Sequence, residues 1–91
     1  MQVVQFAKFQ KKYKKLHDNQ AADVNTAIRA IMYNPSIGQM KSANLAGIRV
    51  YKFKMVGQLT LLAYYVTDGG DLVLTLLDFG SHENFYRDLK I

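Results

Sequence analysis

Hydrophobic and polar positions change period several times between residues 45 and 86. Ile48, Val50, Lys52 and Lys54 alternate with Arg49, Tyr51, Phe53 and Met55, the two-residue repeat of a strand whose faces differ. Gln58 to Thr67 is almost continuously apolar, β-branched or aromatic, which predicts a central strand buried on both sides. Val56-Gly57 and Asp68-Gly69-Gly70 supply the turn chemistry for two successive hairpins. A third run, Asp71 to Phe79, is predicted to halt at Gly80. Ser81 then caps a short helix with His82 in its first turn and Tyr86 one turn later.

The first half of the chain has helical periods. Val3 to Phe6 predicts a short edge strand. From Lys8 to Leu16, the residues Phe9, Tyr13 and Leu16 fall at i, i+4 and i+7, while Lys8, Lys11, Lys12 and Lys15 cover the other sides, as in an amphipathic helix. His17-Asp18-Asn19 interrupts it, and His17 reads as a group at that helix's C-terminus rather than as chemistry. A second helix, Gln20 to Tyr33, has Asp18 or Asn19 as its cap and Ala21, Val24, Ile28 and Ile31 as its apolar stripe. Asn34-Pro35 ends it, because the residue before proline is pushed out of helical geometry. Ser36 to Asn44 is a polar connection. The order β-α-α-β-β-β-α predicts a single α+β domain over residues 1–91: a mainly antiparallel sheet, a helical hairpin packed on one face, and a short C-terminal helix. The opposite sheet face is the expected working face.

Ninety-one residues provide one modest core. With no cysteine in the chain, a disulfide framework and a thiol-ligated metal are excluded; no other metal site and no cofactor is expected. The longest apolar run, Leu59 to Val66, falls far short of the roughly 20 residues of a membrane helix, so a soluble cytoplasmic protein is expected. Charge changes the picture through its placement. Residues 1–54 carry ten Lys or Arg against Asp18 and Asp23, a balance of +8; the remainder carries Arg87 and Lys90 against five acids, a balance of −3. Such a field attracts polyanions, nucleic acid or an acidic protein, although a solvated surface has the same composition.

Candidate chemistry follows from two pairs. Lys52 and Lys54 share a strand face about 7 Å apart, and two ammonium groups that close lower each other's proton affinity. One is then suited to act as a base and the other to clamp a phosphate. The competing reading is a lysine pair that protects a sheet edge. His82 and Tyr86, four apart, share a helix face. Histidine titrates near neutral pH, and tyrosine can hydrogen-bond reacting groups or stack on a base; Tyr86 reads equally well as core. Phe85 and Leu89 are expected to hold this helix to the sheet. Arg49 is a candidate phosphate contact, but alternation sets it on the face opposite Lys52 and Lys54.

Taken in order, Leu45-Ala46-Gly47, Tyr51-Lys52-Phe53-Lys54, Tyr64-Tyr65-Val66-Thr67-Asp68 and Gly80-Ser81-His82-Glu83-Asn84-Phe85-Tyr86 resemble the RelE/ParE superfamily of toxins from type II toxin–antitoxin modules. The likeness is to the RelE-like mRNA interferases and covers essentially the whole chain. The resemblance implies metal-independent, ribosome-dependent cleavage of messenger RNA by attack of a 2′-hydroxyl on the adjacent phosphate. It assigns Lys52, Lys54, His82 and Tyr86 to catalysis, with Arg49, Lys52 and Lys54 in contact with RNA. It also implies a cognate antitoxin, with Lys8, Lys11, Lys12 and Lys15 facing that partner or the ribosome. One departure stands out. Leu61 occupies a position where RelE carries an arginine, so a cation for the transition state would be missing. The alternatives are a ParE-like inhibitor of DNA gyrase with the same fold and a catalytically weak binding module.

Overall fold

The computed structural model describes residues 1–41, 47–81 and 85. Among these the elements follow as β1 (Gln2–Gln5), α1 (Ala7–Lys14), α2 (Asp18–Tyr33), β2 (Gln39–Met40), β3 (Arg49–Met55), β4 (Gln58–Asp68) and β5 (Leu72–Ser81). They form one sheet in the order β1-β5-β4-β3-β2. Only β1 and β5 pair in parallel; the other neighbours are antiparallel. The expected α+β class and mainly antiparallel sheet are therefore present, and β1 is the expected edge strand.

Both helices pack on one face. Phe9, in the first turn of α1, is buried with Val24, Ala27 and Ile31 of α2 against Leu62, Tyr64, Leu74, Leu76 and Phe79 of the sheet. Tyr13 joins the helices by donating its hydroxyl hydrogen to Asn25 Oδ1 at 2.8 Å. The opposite face has its own apolar cluster of Ile48, Val50, Leu61, Ala63, Leu77 and Phe85. β4 lies between the two clusters. Its residues Thr60 to Tyr64 are buried in unbroken succession, as expected for a strand covered on both sides.

The element boundaries correct several expectations. The cap of α2 is His17, not Asp18 or Asn19: its backbone is extended, and its N–H donates to Gln20 Oε1 at 2.9 Å. His17 thus serves the start of α2 rather than the end of α1. Within the connection expected over Ser36 to Asn44, Gln39–Met40 pairs with Val50 and Arg49 as a two-residue strand, too short for any periodicity to reveal. β5 does not halt at Gly80. It continues to Ser81, with Gly80 opposite Leu61 and Ser81 opposite Thr60, because the ladder to β4 can still be extended. The register between β4 and β5 shifts by one residue beside Ala63 and Tyr64, a β-bulge that lets Leu77 face the second cluster while Leu76 and Phe79 keep to the helix side. Ser81, the predicted cap, is instead the last residue of β5; the helix predicted behind it lies outside the described residues except for Phe85, which is helical and buried.

Tyr64 ties the loop after α2 to the sheet. Its hydroxyl donates to the Pro35 carbonyl at 2.8 Å and accepts from the Gly38 N–H at 2.9 Å. A Cβ on Gly38 would stand 2.7 Å from that oxygen, so this position requires glycine. Burial pushes the Tyr64 pKa above its ordinary value, opposed by the Gly38 hydrogen bond and the nearby Arg49 guanidinium. At the other end of the molecule, Val56-Gly57 makes the expected two-residue turn with φ of 49° and 80°. The pair of positive values belongs to a type I′ turn, and valine is unsuited to it. Asp23 of α2 holds the turn, its Oδ2 accepting the Val56 N–H at 2.7 Å.

Two outcomes are expected from these contacts. Tyr64→Phe strands a half-buried carbonyl and a buried N–H and should cost about 1–3 kcal/mol at neutral pH. Because the folded pKa is raised, the proton's contribution to stability is complete below the unfolded value of about 10 and is lost as pH rises through the folded value. The difference between wild type and Tyr64→Phe in urea melts should therefore narrow above about pH 10; a difference constant with pH would contradict this linkage. Val56→Asn should raise stability by about 1 kcal/mol, since asparagine tolerates positive φ better than a β-branched residue, and thermal melts read this directly.

Candidate functional site

Strand β3 splits its side chains as the alternation predicts. Tyr51, Phe53 and Met55 turn toward the helices and pack against the first core, with the Tyr51 and Phe53 rings stacked at 6.2 Å. Val50 turns the other way into the second cluster. Lys52 and Lys54 continue that second face beyond the apolar cluster and are exposed. Across the ladder, Lys52 lies opposite Leu61 and Lys54 opposite Leu59. Among the described residues, no carboxylate forms an ion pair with either lysine.

Leu61 is fully buried. Its row across the sheet runs Lys52, Leu61, Gly80, and the Phe85 ring lies over Gly80, 3.9 Å from where a Cβ would stand there. The place beside Lys52 is thus filled by a buried leucine that belongs to one apolar cluster with Phe85. Among the described residues, the working face expected to be open is exposed toward the hairpin at Val56-Gly57, and its other end is core. Phe85 fulfils the anchoring role expected of it. The two other catalytic candidates, His82 and Tyr86, lie outside the described residues, as does Leu89.

Arg49 has a structural task. Its Nη1 donates to the Gly38 carbonyl at 2.8 Å and to the Ser36 carbonyl at 3.3 Å. Together with Tyr64, opposite it in the ladder, Arg49 therefore fixes the loop that leads into β2. It also stays on the face expected, away from the Lys52 and Lys54 side chains.

The basic helix divides into two groups. β1 accompanies β5 only as far as Leu76, where the Phe6 N–H donates to the Leu76 carbonyl at 2.9 Å. Past that point α1 closes the edge. Lys12 Nζ donates to the Phe79 carbonyl at 2.8 Å and stands 2.8 Å from Asp78 Oδ1; Lys8 Nζ stands 3.3 Å from Asp78 Oδ2. Asp78 is 1% exposed, and its Oδ1 also accepts the Phe79 N–H. Lys8 and Lys12 therefore neutralise a buried carboxylate, whereas Lys11, Lys14 and Lys15 point into solvent. Helical periodicity marked all these lysines as non-core; the sequence offered no sign that a buried acid 66 or more positions away would claim two of them. An aspartate inside the apolar run Leu72 to Phe79 was the one available hint.

Comparison with known proteins agrees with this architecture. A family model described as the ParE-like toxin of type II bacterial toxin–antitoxin systems matches residues 3–90. Comparison with curated protein sequences gave no match. Among solved structures, the RelE toxin of Escherichia coli within the intact RelBE toxin–antitoxin complex is similar with a TM-score of 0.68 at 19% identity, over 88% of this chain and 94% of that one. Isolated E. coli RelE gives a TM-score of 0.67 at 19% identity, over 97% and 98%.

The lysine contacts lead to a direct contrast in stability. Lys12→Gln should destabilise by about 2 kcal/mol, less than the ~3–5 kcal/mol of a fully buried pair because Lys12 keeps contact with water. Lys11→Gln, one position away, should stay within about 0.5 kcal/mol. Equal denaturation midpoints for the two variants would show that the Asp78 cluster does not support the fold.

Proposed function

Because the chain belongs to the ParE-like toxins of type II bacterial toxin–antitoxin systems, we propose that it stops growth by cleaving messenger RNA on the ribosome, with Lys52 and Lys54 as the working cations. One observation carries this reading: two exposed lysines extend from one strand onto a single sheet face, with no carboxylate paired to them among the described residues. Cleavage without a metal requires a base for the 2′-hydroxyl, positive charge on the crowded phosphorane, and an acid for the departing 5′-oxygen. The lysine pair supplies the first two. His82 and Tyr86 are the proposed acid and substrate-orienting group.

The likeness to RelE within the RelBE complex supports a cognate antitoxin as partner. Lys11 of α1 and Lys15 at its C-terminal cap are the cations proposed to face that partner or the ribosome. Lys8 and Lys12 contribute less there, because Asp78 already neutralises part of their charge.

A second reading has an observation in its favour. Leu61, buried in the row of Lys52 and in one apolar cluster with Phe85, leaves no cation at the centre of the face among the described residues. A surface of that kind suits a toxin that acts by binding, as in gyrase inhibition, or a catalytically weak binding module. The two classes separate in one experiment. Induced expression without antitoxin should yield new cuts within translated regions of reporter messages, mapped by primer extension. Intact messages with arrested DNA synthesis would favour gyrase inhibition, and growth without arrest would favour the binding module. Replacing both Lys52 and Lys54 with alanine should abolish the cuts while moving stability by no more than about 0.5 kcal/mol. A double variant that cleaves at the wild-type rate would remove these lysines from the mechanism.

A further inference from the structure

A notch opens beside β3 where β2 stops. Gln39 pairs with Val50 and Met40 with Arg49, so β2 does not reach Lys52. Tyr64 and Arg49 hold the preceding chain at Gly38. A shallow cavity of about 250 Å³ occupies the notch, lined by Ile37, Gln39, Val50, Tyr51 and Lys52. Residues directly opposite one another across a ladder project to the same side. Gln39 therefore shares the face of Val50, which is also the face of Lys52 and Lys54. Its side chain is exposed, and its amide oxygen meets Lys41 Nζ at 3.5 Å, a long contact. Ile37 and Val50 add apolar surface. Tyr51, whose ring stacks on Phe53 at 6.2 Å, adds an aromatic one.

We propose that this notch receives one base of a single-stranded RNA whose phosphate lies at Lys52, and that the Gln39 amide reads the edge of that base and favours adenine. The assignment rests on the reading of Lys52 as a working cation in message cleavage. It adds to that reading the residue that selects the nucleotide.

The occupant's chemistry follows from the lining. Lys52 belongs both to the cavity and to the exposed basic margin of the face, so a nucleotide held there by its phosphate has the cavity within reach of its base. Gln39 and Lys52 are diagonal neighbours across the ladder, a separation of roughly 7–8 Å, which one nucleotide spans from phosphate to base. Aliphatic and aromatic walls suit a planar ring, and a single strand can splay its bases outward to reach them, as a duplex cannot. The carboxamide of Gln39 offers a donor and an acceptor side by side, the pair that matches N6 and N7 of adenine. A free inorganic anion would meet Lys52 but leave the apolar walls and the amide unused. A wholly apolar ligand would gain nothing from Gln39 or from the lysine charge.

Short RNAs that bind without being cut test the assignment on the whole chain. Pentanucleotides of adenine, cytosine or uracil carry 2′-O-methyl groups throughout, and an abasic strand of equal charge accompanies them; fluorescence anisotropy reads the binding. The adenine strand should bind the wild type at least about fivefold more tightly than the abasic strand, and ahead of the cytosine and uracil strands. Gln39→Ala should level the three bases. Gln39→Glu, whose carboxylate accepts but cannot donate, should put cytosine first. Lys52→Ala should weaken binding of every strand, the abasic one included. Because the Gln39 side chain is exposed, both Gln39 variants should melt with the wild type, so a changed base order reports the site rather than the fold. Equal binding of the adenine and abasic strands by the wild type would overturn the proposal, as would an order of bases that neither Gln39 variant alters. Message cleavage is scored separately. A chain with a Gln39-dependent base order that cuts no message keeps the notch and loses the nuclease; a chain that cuts messages while its base order ignores Gln39 does the opposite.

Discussion

Strand β4 has neighbours on every side, and the remaining elements are arranged by that fact. It pairs with β3 on one edge and β5 on the other, and apolar clusters cover both of its faces. A strand in this position has no polar solvent to accommodate error, so its five central residues are apolar, or polar with a partner. Thr60 returns its hydroxyl to the Gln58 carbonyl, and the Tyr64 hydroxyl spans the Pro35 carbonyl and the Gly38 N–H. The same constraint decides Leu61. A guanidinium there would be buried among Ala63, Leu77 and Phe85, so Leu61 belongs to the core on the second face. The apolar centre and the basic margin of that face are parts of one arrangement.

Charge is divided by location rather than by residue type. Of the lysines in α1, two close the edge of β5 through Asp78 and the Phe79 carbonyl, and the others remain on the solvent side. In β3, Arg49 is committed to two loop carbonyls, whereas Lys52 and Lys54 are exposed where the sheet narrows. Each edge is therefore handled differently: β5 by a helix and a buried acid, β3 by a two-residue strand and two lysines. Lysine on an open edge opposes indiscriminate pairing.

Much was legible from local pattern alone. Alternation in β3 put Lys52 and Lys54 on one face and Arg49 on the other, and the structure keeps that division. The apolar run in β4, the turn at Val56-Gly57 and the stripes of both helices depend on neighbours within a few residues, and such neighbours are what periodicity reports. Leu61 was noticed only as a departure from a familial pattern; nothing nearby in sequence connects it with Phe85. The tasks of Lys8, Lys12, Arg49 and His17 were also hidden. A lysine that pairs with a buried aspartate reads the same, residue by residue, as one that faces water, and an arginine bound to loop carbonyls reads the same as one waiting for phosphate. The sequence by itself determined the elements, their faces and the residues available for chemistry, because those follow from composition at short spacing. Tertiary structure alone decided which charges are already spent, how far β2 runs and where β3 is left open, because each depends on groups brought together from distant parts of the chain.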